Sequence, residues 1–385
     1  MVGTGGMYKS AYVMTLLGVG LFVFSGFAVA TPLLLHETGR YGPTISPGIV
    51  NQITIAGNYM YASLDDGGFE VIDRNTGTVL SRTKQGNKYA VQFVLRGNYA
   101  YVADWYGGLT VIDISNKNNV QRVGSWSDYP HPVNAGPFAE GVGLSGNNAF
   151  LSINGLGVVT LDITDPLHPV QTGFSPETLN EGALVGVNRV INLNEPNRIV
   201  VRSYKELLTY DISDPNNLVL TSHPKAYPCI GAFFDSAAND YYVGLGSSVE
   251  SVYRVYDMSN PDNPLLEFTY KDKLPQVPVP QYHYVWDLLR CGHYLFVAEH
   301  EREVLVMDIS NPLSPQKVAY FPVQSGVTGK VTSLALDGKT LYVGTLRTGI
   351  IAVDVSAFIP EPATILLVSS GILGLLAVGR RRLMK

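Results

Sequence analysis

The chain has 385 residues, 46% of them hydrophobic and only 15% charged, with a formal charge of −5. That length leaves ample material for a core. The interior is rich in Tyr, Val, Gly, Pro and Asn and poor in long runs of Ala, Glu, Lys and Leu, which argues against a helical architecture and for strands and turns. The terminal segments 1–30 and 359–385 contain Lys9, Arg380, Arg381, Arg382 and Lys385 against one acid, Glu361, so the remaining body carries −9 and would repel a phosphate backbone; nucleic acid is not an expected partner.

From Ala11 to Ala30 the chain reads AYVMTLLGVGLFVFSGFAVA, preceded by Lys9 and closed by Ala28-Val29-Ala30, the small-x-small form that signal peptidase accepts. Residues 1–30 are therefore read as an export signal. An uncleaved transmembrane anchor is the alternative, because the apolar run is long for a signal.

A repeat dominates the body of the chain. Strand-like runs end on an aspartate at Asp73 (FEVID), Asp113 (LTVID), Asp162 (VVTLD), Asp211 (LLTYD), Asp257 (YRVYD), Asp308 (VLVMD) and Asp354 (IIAVD), at intervals of 40, 49, 49, 46, 51 and 46 residues. A period of that size holds four short strands with their turns, which is one propeller blade. The second unit, AVQFVLRGNYAYVADWYGGLTVID, shows two alternating runs around Gly97-Asn98 and a second turn at Gly107-Gly108, marking two successive hairpins. Each aspartate is expected to accept N–H bonds from the turn it starts. The seventh unit stops at Phe358 without an outer strand, and the missing strand is found at the other end, in Leu33 to Arg40. The expected fold is all-β: a seven-bladed β-propeller over residues 31–358, closed by an N-terminal strand that completes the last blade.

Residues 359–385 form a tail. Pro360-Glu361-Pro362 precedes an apolar stretch from Ala363 to Gly379 and then Arg380-Arg381-Arg382. As a helix that stretch is about 25 Å long, slightly short of a bilayer core of about 30 Å, so apolar helices are expected to flank the propeller at both ends. Cys229 falls just before the inner strand of one unit and Cys291 at the far end of that of the next, on opposite faces, so two unpaired thiols are expected.

Two resemblances add to this reading. The motif, apolar stretch and arginine run resemble the PEP-CTERM sorting signal of Gram-negative bacteria, which implies processing by an exosortase at Pro360-Glu361-Pro362 and, in that family, an association with exopolysaccharide and biofilm; a plain C-terminal membrane anchor is the alternative. The runs LTVIDIS, LLTYDISDP and VLVMDISNP resemble LVIVD repeats of bacterial and archaeal surface proteins, which implies a propeller and leaves function open.

Candidate site residues follow from the propeller. Counting five residues back from the first turn's glycine gives Gln52, Gln92, Gly141, Asp287 and Ser333, expected to point into the central channel. On the face where that strand begins, turns and entering loops contribute Asp65, Asp104, Trp105, Arg202, His300, His131, Glu140, His283 and Trp286. Aromatics among carboxylates and amides suit carbohydrate, whose ring faces stack on Trp or Tyr while hydroxyls bond Asp, Asn and Gln. No GxSxG, HExxH, CxxC or Walker pattern occurs, so no catalytic residue, cofactor or resident metal is assigned. The function expected is an exported binding or scaffold module of the outer surface or extracellular matrix, monomeric, with a polysaccharide or surface protein as ligand. Export would involve signal peptidase and exosortase, with the tail in the membrane before processing. The alternative is a metal-assisted hydrolase or lactonase using His131, His283, His300, Glu140 and Asp287 at the channel.

Overall fold

The computed structural model describes residues 31–359 apart from 42–47, 66–67, 84–88, 130–136, 177–186, 193–196, 204–206, 224–228, 236–239, 248–249, 274–282, 300–302, 312–313, 324–329 and 347. Both apolar terminal segments and the Pro360-Glu361-Pro362 motif lie outside the described residues. Among the described residues no helix is long and apolar enough to cross a membrane.

Strands β1 (Leu33–Leu34) and β2 (Glu37–Tyr41) come first, followed by seven repeated units. Blade 1 has β3 (Val50–Ala56), β4 (Tyr59–Leu64), β5 (Gly68–Asp73) and β6 (Val79–Thr83), and blade 2 has β7 (Ala90–Arg96), β8 (Tyr99–Asp104), β9 (Leu109–Asp113) and β10 (Gln121–Trp126). Blade 3 follows with β11 (Phe138–Ser145), β12 (Asn148–Asn154), β13 (Gly157–Asp162) and β14 (Val170–Pro176). Blade 4 has β15 (Val187–Asn192), β16 (Arg198–Ser203), β17 (Leu207–Asp211) and β18 (Val219–Ser222). Blade 5 has β19 (Cys229–Asp235), β20 (Asp240–Ser247), β21 (Glu250–Asp257) and β22 (Leu265–Lys273), and blade 6 has β23 (His283–Cys291), β24 (Tyr294–Glu299), β25 (Glu303–Asp308) and β26 (Gln316–Pro322). Blade 7 contributes β27 (Val331–Asp337), β28 (Thr340–Thr345) and β29 (Ile350–Asp354).

The seventh blade is completed by β2, antiparallel to β29 with Glu37 opposite Val353 and Tyr41 opposite Ile350. The N-terminal segment therefore closes the ring, as its sequence position requires. It does more than expected: β1 lies parallel to β26, with Leu33 opposite Ala319, so one segment ties blades 6 and 7 together. Leu35, between the two strands, is buried in the core shared by those blades.

The core sits between blades, because strands two and three of each blade are covered on both faces. Tyr61, Phe69 and Val71 of blade 1 meet Phe93, Val102 and Ile112 of blade 2. Phe150 and Val158 of blade 3 meet Ile199, Val201 and Tyr210 of blade 4, and Met60 and Ile72 of blade 1 meet Tyr342 and Ile350 of blade 7. The third strands are near-continuous apolar runs for this reason, whereas the outer strands alternate toward solvent.

All seven anchor aspartates start Asx turns. Asp73, Asp113, Asp162, Asp211, Asp257, Asp308 and Asp354 each accept, at 2.7–2.9 Å, the N–H of the residue two places on. The Thr164, Ser213 and Ser259 hydroxyls, then their N–H groups, hold Asp162, Asp211 and Asp257 below the usual carboxylate range; at Asp113 and Asp354 the Ser115 and Ser356 N–H groups lead. A carboxyl depressed in the fold contributes stability above its unfolded pKa of about 3.9 and loses it as pH falls through the lower folded value. The thermal midpoint is accordingly expected to drop steadily between about pH 5 and pH 2. A midpoint flat across that range would contradict the assignment.

Candidate functional site

Every inner strand breaks its ladder with the second strand at the same place. Register shifts fall between Val50 and Gln52, Ala90 and Phe93, Ala139 and Gly141, Val187 and Arg189, Cys229 and Gly231, Val285 and Asp287, and Val331 and Ser333. A bulge leaves an extra residue out of the ladder and re-aims its side chain. Four of the residues so displaced, Asn51, Val91, Glu140 and Trp286, line one cavity of about 430 Å³. Asp65 and Trp105, from turns after the second strands, share that lining with Tyr89, Arg189 and Arg202. The volume falls in the range of about 300–1,000 Å³ typical of small-ligand pockets.

The polar walls are held in place. Asn51 donates from Nδ2 to the Asp65 carboxylate at 2.7 Å and to the Ala90 carbonyl at 2.9 Å, tying blade 1 to blade 2. Asn154 donates to Glu140 at 2.9 Å. Arg189 of blade 4 reaches blade 1, where Nη2 donates to the Asn51 carbonyl at 3.0 Å.

Trp105 is the one described non-glycine residue with positive φ, at 38°. Such backbone persists where surrounding contacts over-determine it, and it clusters at ligand sites. Here the Trp105 carbonyl accepts the Ala139 N–H at 2.8 Å and the Tyr129 hydroxyl at 2.9 Å. The indole stacks on Phe138 with centroids 4.4 Å apart and meets Tyr89 edge-on at 5.7 Å. Burial, as the largest influence, pushes the Tyr129 phenol up from its ordinary value, so it remains a neutral donor at neutral pH.

The expected site residues divide. Trp105, Glu140 and Trp286 do meet in the cavity, although Glu140 and Trp286 lie inside β11 and β23 and not in entering loops. Gln52, Gln92, Asp287 and Ser333, expected to project into the channel, hydrogen-bond to neighbouring inner strands. Gln52 forms a two-sided bridge to Phe93, donating to its carbonyl at 3.1 Å and accepting its N–H at 3.0 Å. Gln92 accepts the Val142 and Val190 N–H groups and donates to the Val190 carbonyl at 2.8 Å, spanning blades 2, 3 and 4. Asp287 accepts the Leu334 N–H at 2.8 Å, and Ser333 donates to the Val50 carbonyl at 3.0 Å. Gly141, in the same position at the third blade's bulge, has no side chain to offer. Burial pushes the Asp287 carboxyl above its ordinary value, against the pull of Arg189, the Leu334 and Leu288 N–H groups and Arg202.

Asp104 is 1% exposed and serves its own turn, where Oδ2 accepts the Thr110 hydroxyl at 3.0 Å. His131 and His300 lie outside the described residues, as does the His283 side chain; His283 itself opens β23, its backbone paired with Ser247 of β20. Among the described residues no three His, Cys, Asp or Glu side chains could hold a metal ion. Cys291 is a free thiol. Asn51, Tyr89 and Arg189 were not anticipated. Asn51, Glu140 and Trp286 share a position six residues before the first-turn glycine, one earlier than the position singled out by sequence.

Four stretches of the chain, residues 47–73, 88–128, 284–321 and 328–368, match the LVIVD repeat. The chain carries LVIVD repeats. The matched stretches fall on blades 1, 2, 6 and 7 of the propeller. No curated protein matches the sequence. Among solved structures, the β-propeller domain of Myceliophteria thermophila Cps50 (Swd1) is similar at TM-score 0.63 and 13% identity, covering 83% of this chain and 98% of that one. The computationally designed Ika8 protein is similar at TM-score 0.56 and 12% identity, covering 82% of this chain and all of the other. At such identities the likeness concerns the fold alone.

Proposed function

We propose that this LVIVD propeller is an exported, surface-held binding module that takes a saccharide in its cavity. The observation that carries the reading is the shared pocket: bulges turn Asn51, Glu140 and Trp286 of three blades into it, where they line one cavity with Asp65 and with Trp105, in strained backbone. Indole faces stack on the C–H faces of sugar rings, and carboxylates accept from sugar hydroxyls. Rigid inner strands, stitched by Gln52, Gln92, Asp287 and Ser333, preorganise that lining and reduce the entropy lost on binding.

Binding is tested by probing a glycan array and self-produced polysaccharide with the full chain. Trp105→Ala is expected to weaken retention about tenfold or more, in line with about 1–3 kcal/mol for an aromatic stacking contact. Absence of retention on any polysaccharide, or an unaltered affinity in Trp105→Ala, would count against the saccharide.

The export part rests on the Ala28-Val29-Ala30 site and on the Pro360-Glu361-Pro362 tail. N-terminal sequencing of protein from the producing cell is expected to begin at Thr31, and fractionation is expected to find it in the envelope or matrix. An intact N-terminus on protein recovered from the cytoplasm would refute this part and leave the binding site untouched.

A further inference from the structure

The fourth blade breaks the repeat's own rule at the cavity. Arg189 of β15 and Arg202 of β16 are directly opposed in the ladder. The corresponding pairs elsewhere are Gln52 with Ser63, Gly141 with Ser152, Gly231 with Gly244, Asp287 with Ala298 and Ser333 with Gly344, none of which repeats a charge. Like charges directly opposite one another destabilise a ladder, and Arg202 is only 4% exposed. Asp287 interacts with both arginines and offsets part of that cost, and a local exception of this kind is expected where a site demands it.

Both arginines line the cavity, and so do two carboxylates, Asp65 and Glu140. The lining is therefore not a simple cationic sink. Arginine only donates and carboxylate only accepts, so a matching ligand needs acceptors on one side and hydroxyl donors on the other. The guanidinium offers five N–H donors in a planar fork, so it can serve the wall and a ligand carboxylate together. Asp287 also acts on both arginines while its two oxygens accept the Leu288 and Leu334 N–H groups at 2.9 and 2.8 Å, so a ligand carboxylate would share the guanidinium donors with it.

We propose that Arg189 and Arg202 make this pocket selective for a sugar acid, gripping the carboxylate of a uronate residue while Asp65 and Glu140 accept from its hydroxyls. The inference rests on the saccharide function already proposed and adds the charge of the sugar to it. The body carries −9, so recognition is local and the long-range field does not assist it.

The test uses the full chain and isothermal titration with glucuronate, galacturonate and mannuronate oligosaccharides, each beside its methyl ester, which keeps the shape and removes the charge. At least one acid is expected to bind about tenfold or more tightly than its ester, with an advantage that shrinks as salt is raised. Arg189→Gln is expected to erase the difference, and Arg189→Lys to recover only part of it, because a point charge does not replace the fork. The ester comparison needs no variant, so a poorly folding substitution does not protect the proposal. Equal binding of acid and ester, or a preference for neutral glycans, overturns the inference and leaves the saccharide reading standing. Failure of every glycan, or capture of an acidic peptide alone, overturns both.

Discussion

Deleting Leu33–Tyr41 is expected to abolish cooperative folding. The segment adds the fourth strand of blade 7 and a parallel strand to blade 6, and it buries Leu35 between them. Tyr41 packs edge-on against Tyr342 at 5.5 Å, and Thr38 donates to the Ala352 carbonyl at 3.2 Å. One fully buried aliphatic side chain contributes about 1.5–3 kcal/mol and each ladder bond about 1 kcal/mol, so the loss is on the order of 5 kcal/mol or more. That is a large share of a domain's usual net stability of about 5–15 kcal/mol. The deletion also bares the β29 edge, a template for aggregation. Thermal unfolding followed by circular dichroism, with size-exclusion chromatography, checks this; the segment supplied as a peptide is expected to restore part of the loss. A deleted protein that melts like the intact one would refute closure by this segment.

Arg82→Ala is expected to cost about 3–5 kcal/mol, far more than loss of a surface ion pair, because it strands a buried carboxylate. Glu70 is fully buried and pairs with Arg82 on the neighbouring strand. Burial pushes its carboxyl above the ordinary range, against the pull of Arg82. A carboxyl raised in the fold gains stability as pH falls toward and below that raised value, opposite in sign to the turn aspartates. Glu70→Gln should therefore be nearly neutral at pH 7, and Glu70→Leu with Arg82→Leu nearly neutral or stabilising. Denaturant melts of the three variants decide it. Equal costs for Arg82→Ala and Glu70→Gln would show that the charge left behind is not what matters.

The blade count was legible because it rests on local chemistry. Asp73 through Asp354 each needs a donor two residues on, and the run before it needs burial on both faces, so short stretches carry the repeat unaided. Closure was legible because the repeat pattern written in the sequence ends at Phe358 without an outer strand, while Leu33 to Arg40 stands where an outer strand would. The site was less so. Strict alternation places Gln52, Asp287 and Ser333 toward the axis, but the bulge displaces Asn51, Trp286 and Thr332 from the ladder, and nothing in apolar alternation marks an extra residue. Arg189 was hidden for another reason: its bond to the Asn51 carbonyl joins blades 1 and 4, a relation set by the ring and not by any one repeat. The parallel pairing of Leu33 with Ala319 is equally non-local.

The pocket's role is tested most directly by a crystal structure of the full chain with the saccharide that binds it best. The account predicts sugar density in the cavity, with a ring face on Trp105 or Trp286 and hydroxyls on Asp65 and Glu140. Density elsewhere, as along the outer strands, with the cavity holding only solvent, would contradict it.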